Sequence, residues 1–438
     1  MTMKKSIKIF LAFLFVCGYL MTYGQSKVPG TVIAYSPASS GLYIGSPSIV
    51  VLANGHYLAS HDFFGPKSTE HSSAVSRIYR SKNKGKTWEM ISEINGQFWS
   101  KLFVHQSHLY LMGTHKHHGN AIIRQSMDEG ETWTNPTDPE NGLLLAGEYH
   151  CAPMPLIIHE GRLWRAMEDA MGPIKVWGKR YGSFMMSIPV DKNPMQAANW
   201  TKSNVLGYDS TFFNGAFGGW IEGNAVVGPD GGVWNMLRVD NKKSLQEYAA
   251  MVKISADGTQ SSFDRSTGFI PFPGGSKKFS IRFDPKTKLY WTLSNFIPEE
   301  VKNANPGKNP ASIRNTLALC FSSDLKNWQL KKIVFQHPDI VKHGFQYVDW
   351  LFDGKNILLA KGGDYQFIHC TVVTYANSFI DHKDPVLFVS NYITVNNNPV
   401  TANLNAVFRN CIFWGENGLA DNEVVVAKNG STVFNVNF

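Results

Sequence analysis

The sequence predicts an all-β chain: a six- or seven-bladed β-propeller carrying a right-handed β-helix-like segment at its C-terminus. Three observations predict it. Apolar runs of strand length, broken by Gly-bearing turns, recur roughly every 40 to 60 residues with four strands to a unit, the spacing of propeller blades. A second turn signature repeats after the third strand of these units. The composition, 43% hydrophobic, 17% charged and 13% aromatic with 38 Gly and 21 Pro, suits strands joined by tight turns and excludes disorder.

The first unit begins Ser46–Leu52, turns at Ala53-Asn54-Gly55 and resumes at His56–His61; Asn-Gly between two strand-like runs is a strong hairpin signal. Val75–Arg80 and Trp88–Ile94 complete its four strands. The second unit runs Trp99–Val104, His108–Gly113 and Ala121–Gln125, and on past Trp133. The third starts at Met154–Ile158, turns at His159-Glu160-Gly161 and continues Arg162–Met167; the fourth pairs Ala225–Val227 with Val233–Arg238. The fifth pairs Phe279–Phe283 with Leu289–Leu293, and the sixth Tyr347–Phe352 with Ile357–Ala360. The long interval between the fourth and fifth leaves six or seven blades open.

Ser81–Trp88 (SKNKGKTW) and Ser126–Trp133 (SMDEGETW) share the pattern S-x-[DN]-x-G-x-T-W, with a weaker echo at Ser322–Trp328. The Asn or Asp side chain accepts from backbone N–H groups of the turn, Gly takes positive φ and Trp packs between blades. These turns resemble the Asp-boxes of sialidases and related propellers, where they are structural.

After Ala360 the texture changes. Phe367–Val373, Asn377–Ile380, Phe408–Gly415 and Glu423–Ala427 are short strand-like runs at rungs of about 20 residues, which resemble a partial parallel β-helix. The expected division is a signal peptide over 1–24, the propeller over 25–362 and the β-helix segment over 363–438, the last reading as a fusion or a truncated frame. Lys4, Lys5 and Lys8 followed by the apolar Ile9–Met21 run form the signal, too short for a membrane span, and place the protein in the periplasm or outside the cell. Removing those three lysines from the formal +8 leaves +5, a modest excess without basic runs that excludes nucleic acid as a partner. Beyond Cys17, the cysteines Cys151, Cys320, Cys370 and Cys411 follow no metal-site spacing and read as buried thiols.

The polar residues collect at one set of loops: the exits of second strands and the entries of first strands, which share one rim of a propeller. They include His61 and Asp62, His115, His117 and His118, Glu148, Tyr149 and His150, Arg165 and Glu168, Glu222, Arg238, and Gln346 and Tyr347. His115, His117, His118 and His150 offer a zinc set without the spacing of an established motif; a hydrogen-bonding polar cluster and general acid–base catalysis are the other readings. A structural or catalytic divalent metal is the one cofactor candidate. Arg165 and Arg238 could clamp a carboxylate, or pair with Glu168 and Asp240. Trp99 and Trp220 could stack on a sugar or pack between blades.

Tyr35–Ser40, Ser60–Gly65, Gly147–His150 and Gly344–Trp350 resemble a bacterial propeller family of α-L-rhamnosidases and rhamnose–glucuronate lyases, over about residues 32–360. The resemblance implies an acidic polysaccharide or oligosaccharide containing rhamnose and glucuronate, cleaved by elimination or hydrolysis. It implies His118 and His150 as acid–base pair, Tyr149 as their partner, and Arg165 and Arg238 as the carboxylate clamp. His61, Glu168, Glu222 and Tyr347 join the substrate-binding set. The family's hydrolases use a histidine on the opposite face, and His56 sits in such a turn. A sialidase-like exo-glycosidase is the alternative; sialidases use an arginine triad and a Tyr/Glu nucleophile pair, and no early-blade arginine stands in the expected setting. A non-catalytic glycan-binding propeller is a further one.

Overall fold

The structure is a computed structural model describing residues 30–37, 40–64, 74–241, 244–341, 343–354, 356–362, 368–376, 387–395, 398–401, 404–407, 424–431 and 434–437. Gly30–Ala376 form one compact unit and the described residues beyond Ala376 a second.

The larger unit is almost wholly antiparallel sheet. Its strands are β1 (Thr31–Ser36), then β2 (Tyr43–Val51), β3 (Tyr57–Phe64), β4 (Val75–Ser81) and β5 (Glu89–Asn95). Next come β6 (Phe98–His105), β7 (His108–Thr114), β8 (Gly119–Ser126) and β9 (Leu143–His150), followed by β10 (Ile157–His159), β11 (Arg162–Asp169), β12 (Gly182–Pro189) and β13 (Thr201–Lys202). Then β14 (Phe217–Val227), β15 (Val233–Asn241), β16 (Tyr248–Ile254), β17 (Ser261–Phe263) and β18 (Phe269–Pro271) precede β19 (Ser280–Asp284), β20 (Leu289–Ser294), β21 (Thr316–Ser322) and β22 (Gln329–Gln336). The unit ends with β23 (Gln346–Asp353), β24 (Asn356–Gly362) and β25 (Ile368–Ala376). Sheets follow chain order: β2 to β5, β14 to β17 with β18 against β16, and β19 to β22, while β6 to β13 form one eight-stranded sheet. In that sheet only Tyr149 and His150 of β9 bridge to Asp169 and Glu168 of β11. First strands pack side by side: β2 against β6 and β23, β14 against β10 and β19, and β19 against β23. The sheets therefore stand around a common axis, and clusters such as Trp164, Met185, Trp220 and Leu237, or Trp291, Leu293, Trp350 and Leu359, fill the space between neighbours.

The last sheet corrects the expected boundary. Ile368–Ala376, read from the sequence as the start of the β-helix segment, is the third strand of this sheet, and β1 pairs with it as the fourth. The chain thus returns its N-terminal strand to its last sheet, which removes the open edge that a missing strand would leave. In the second unit Leu387–Ser390 pairs in parallel with Val424–Ala427, and Leu404–Val407 with Phe434–Asn437. The predicted signal segment and the run Phe408–Gly415 lie outside the described residues.

The same irregularity recurs at the head of four first strands. Ser46, Trp99, Glu222 and Tyr347 all have positive φ, between 52° and 58°, and each falls where the pairing register shifts. The left-handed conformation costs a non-glycine residue roughly 1–2 kcal/mol, and a bulge of this kind re-aims its side chain. Two residues further on, polar side chains tie each first strand to the next. Asp349 Oδ2 accepts from the Ile49 N–H (2.9 Å) and Ser48 Oγ from Leu102 N–H (3.0 Å). Asn224 Oδ1 accepts from Ile281 N–H (2.9 Å), and Lys278 donates to the Val348 carbonyl (2.5 Å). Lys101 pairs with Asp349 in the same buried layer.

The turn motifs behave as the sequence predicts. Ser81 Oγ accepts from Gly85 N–H (2.8 Å) and Asn83 Oδ1 from Thr87 N–H (2.9 Å), while Ser126 and Asp128 do the same for Gly130 (2.8 Å) and Thr132 (2.8 Å). The third copy is one residue shorter, and Leu325 takes the left-handed position (φ 66°) with its side chain buried. Cys151 and Cys320 are free and buried, and burial pushes both thiols up to about 12.

Candidate functional site

The bulges at Trp99, Glu222 and Tyr347 bring residues from three sheets to one place. The Trp99 and Tyr347 rings lie nearly parallel, centroids 6.3 Å apart at 21°. Trp99 also meets His150 (5.1 Å) and His117 (5.3 Å), and its indole N–H donates to the His117 carbonyl (3.2 Å). Its strained backbone is held by Asp62, whose Oδ2 accepts the Trp99 N–H (2.7 Å). Burial pushes the Asp62 carboxyl up to about 7 in spite of that bond and the one from Ser76.

Glu222 stands at the centre of an ionic arrangement. Arg238 Nη1 donates to its Oε2 (3.0 Å), with both side chains buried, and the Tyr347 hydroxyl hydrogen-bonds to the same carboxylate. Burial alone would raise Glu222, but Arg238, His150 and the Tyr347 bond outweigh it and hold the carboxyl below its usual range. Burial likewise opposes the charge on Arg238, and the Glu222 carboxylate more than compensates. The guanidinium is fixed from behind by the Ser276 carbonyl (2.8 Å). Glu247 in turn holds that turn, accepting from Ser276 N–H (3.2 Å) and Lys277 Nζ (2.5 Å). Arg314 lies 5.9 Å from the Tyr347 ring centroid and donates to Gln346 Oε1 (2.7 Å).

The histidines form the adjoining wall. His150 Nδ1–H donates to Glu168 Oε2 (2.9 Å), and Glu168 Oε1 accepts from the backbone N–H of Gly223, next to Glu222 (3.2 Å). Glu168 thus orients the ring and leaves Nε2 as the nitrogen it does not engage. His118 Nε2 is 2.9 Å from the Tyr181 hydroxyl. The His150 ring is 6.2 Å from that of His118 and 4.8 Å from that of Tyr181. Burial, with His150 and Arg180 nearby, pushes His117 down to about 4.

Of the residues singled out by sequence, His118, His150, Glu168, Glu222, Arg238 and Tyr347 belong to this one cluster. Tyr149 does not share it: adjacent strand residues face opposite ways, and its ring packs against Phe184 (5.8 Å) under Lys202 (5.2 Å). The hydroxyl beside His118 comes instead from Tyr181. Arg165 is fully buried and donates to the carbonyls of Met154 (2.8 Å) and Ala152 (2.6 Å), so it fastens the irregular segment after His150 rather than facing a ligand. His61 is packed between Phe63 and Tyr79, bonded to the Tyr79 hydroxyl (3.0 Å), and burial lowers it to about 3. Trp220 lies among Phe212, Phe217 and Phe263, in the core. His56 pairs with Glu129 (2.9 Å).

For the metal reading, His115 Nδ1 accepts from Asn120 N–H (2.8 Å) within its own loop. Among the described residues no three His, Cys, Asp or Glu side chains are grouped to hold a metal ion. Nor, among them, is any helix long and apolar enough to cross a membrane. The residues missed by the sequence reading, Tyr181, Arg180 and Trp177, sit at the far end of the long β11–β12 connection. The run Trp177-Gly178-Lys179-Arg180-Tyr181 was the signal, and it returns to the same rim.

No protein-family model matches the chain, and no curated protein matches it by sequence. Solved structures do match its fold. The Hadza microbial sialidase Hz136 is 14% identical with a TM-score of 0.53, over 79% of this chain and 68% of that one. The Trypanosoma rangeli sialidase bound to sialic acid is 14% identical, TM-score 0.51, over 76% of this chain and 54% of its own. The GH93 α-L-arabinofuranosidase of Fusarium graminearum bound to arabinobiose is 11% identical, TM-score 0.50, over 80% and 98%. The chain has a sialidase-like β-propeller fold.

Proposed function

We propose that this protein is a carbohydrate-active enzyme, a sialidase-like exo-glycosidase acting on a terminal sugar of an acidic glycan. The observation that carries the reading is the Tyr347 hydroxyl bonded to Glu222 beside Arg238. An ionised Glu222 can accept the phenol proton as the Tyr347 oxygen attacks the anomeric carbon and the glycosidic C–O bond breaks. The leaving oxygen takes a proton from the His118–Tyr181 or His150–Glu168 pair, and water then hydrolyses the tyrosyl intermediate. Arg238 beside Glu222 and Arg314 beside the Tyr347 ring offer guanidinium groups that could pair with a substrate carboxylate. The solved sialidase and arabinofuranosidase structures of this fold support a carbohydrate substrate by analogy alone.

A second reading rests on His118 Nε2 and the Tyr181 hydroxyl, 2.9 Å apart. Such a pair could abstract the C5 proton of a glucuronate and protonate the departing oxygen, releasing rhamnose by elimination. We further propose six blades, with the eight-stranded sheet counted as two, an exported location, and a β-helix-like tail, supported by the two parallel strand pairs.

Incubation with 3′-sialyllactose and with gum arabic tests these readings. Free sialic acid, or rhamnose without new ultraviolet absorbance, supports hydrolysis; rhamnose with new absorbance supports elimination. A 2,3-difluoro sugar should then label Tyr347 if hydrolysis passes through it. No release from either glycan overturns both readings.

A further inference from the structure

The β11–β12 connection carries an exposed apolar group on the rim of the site. Met171, Ile174, Val176 and Trp177 are 44%, 36%, 58% and 44% exposed, four large apolar side chains within seven residues of one another. The loop is nonetheless built. Arg180 donates to Glu148 (3.1 Å) and to the Ala170 carbonyl (3.2 Å), closing its base. Its tip is pressed onto the neighbouring sheet through glycine: a Cβ on Gly219 would lie 2.1 Å from the Gly178 carbonyl oxygen, and one on Gly178, at φ +82°, 2.3 Å from that of Gly218. Only glycines permit that approach, and it fixes the position of the preceding residue, Trp177.

That position links the two halves of the cluster. The Arg238 guanidinium lies 5.4 Å from the Trp177 ring centroid, and Tyr181, bonded to His118, lies 6.5 Å from it. Half of the indole remains open to solvent. Lys175 and Lys179 flank it in sequence. A flat, pre-positioned, partly exposed indole at the edge of this polar cluster suits the apolar face of a pyranose ring.

We infer that Trp177 is the platform for the sugar on the leaving-group side of the scissile bond, so that the protein prefers a glycan extended beyond that bond over a single sugar. This rests on the rim being the glycoside-cleaving site proposed above.

The test measures calorimetric binding to Tyr347→Phe protein, which cannot turn over through that residue, with and without Trp177→Ala. The probes are 3′-sialyllactose against free sialic acid, and a gum-arabic rhamnosyl–glucuronate oligosaccharide against free rhamnose. Trp177→Ala should weaken binding of the longer probe about tenfold, the size of one aromatic stacking contact, and leave the single sugar unchanged. Trp177→Phe should recover most of the loss. Equal binding of the longer probe with and without the indole overturns the inference, as does an equal loss on both probes, which would mean that Trp177 acts by holding Arg238. If the Tyr347→Phe protein binds none of the four, the reading of the rim itself falls, and this inference with it.

Discussion

Tyr347 and Glu222 share a hydrogen bond although each enters the site from a different sheet, and both do so from a left-handed backbone position, at φ 52° and 58°. The strain at these two bulges is what turns both side chains toward one another rather than into their own sheets.

Removing either member should separate chemistry from stability. Tyr347→Phe should lower glycoside cleavage by about 10³-fold or more with a nearly unchanged melting temperature. Glu222→Gln should lose activity similarly, but it leaves Arg238 buried without its counter-charge, so unfolding should cost roughly 3–5 kcal/mol less. Steady-state kinetics and thermal denaturation of the two variants check this.

The histidine wall gives a second prediction. Glu168→Gln keeps the shape but withdraws the charge that orients His150, and about 10²–10⁴-fold in turnover should go with it if His150 moves a proton. Tyr181→Phe should cost at least tenfold and Tyr149→Phe almost nothing, because only the first hydroxyl meets a histidine. Comparing the two tyrosine variants on one substrate decides it.

A third concerns pH. Burial pushes the Lys278 amine down to about 7, below its unfolded value. Between those two values the unfolded chain binds more protons than the folded one, so stability rises with pH across that window, by up to about 1.4 kcal/mol per unit from this group. Lys278→Met should flatten that rise above pH 7 and stabilise the protein most at and below it. Urea titrations from pH 6 to pH 10 measure both.

The turn motifs should matter to folding alone. Asp128→Ala removes the acceptor of the Thr132 N–H and hydroxyl and should destabilise by roughly 1–2 kcal/mol with turnover per folded molecule unchanged.

The strand runs, the Asn-Gly turn and the S-x-[DN]-x-G-x-T-W pattern were legible in the chain because their causes are local: alternation, positive φ and side-chain capping act within a few residues. The rim residues were legible as a set for the same reason, since strand ends can be counted. Their partners were not. Whether Tyr149 or Tyr181 meets His118 depends on which face of β9 carries Tyr149 and on where the β11–β12 connection returns Tyr181. Whether Arg165 meets a ligand depends on the carbonyls of Ala152 and Met154 folding back over it. The role of Ile368–Ala376 could not be seen at all from its own residues, because its partner is Thr31–Ser36 at the other end of the chain. Local sequence thus determined the units and their turns. Closure of the ring, and with it the meeting of Glu222, Tyr347 and His150, was decided by long-range pairing and by buried polar ties such as Asp349 to Ile49, which exist only once the sheets stand around one axis.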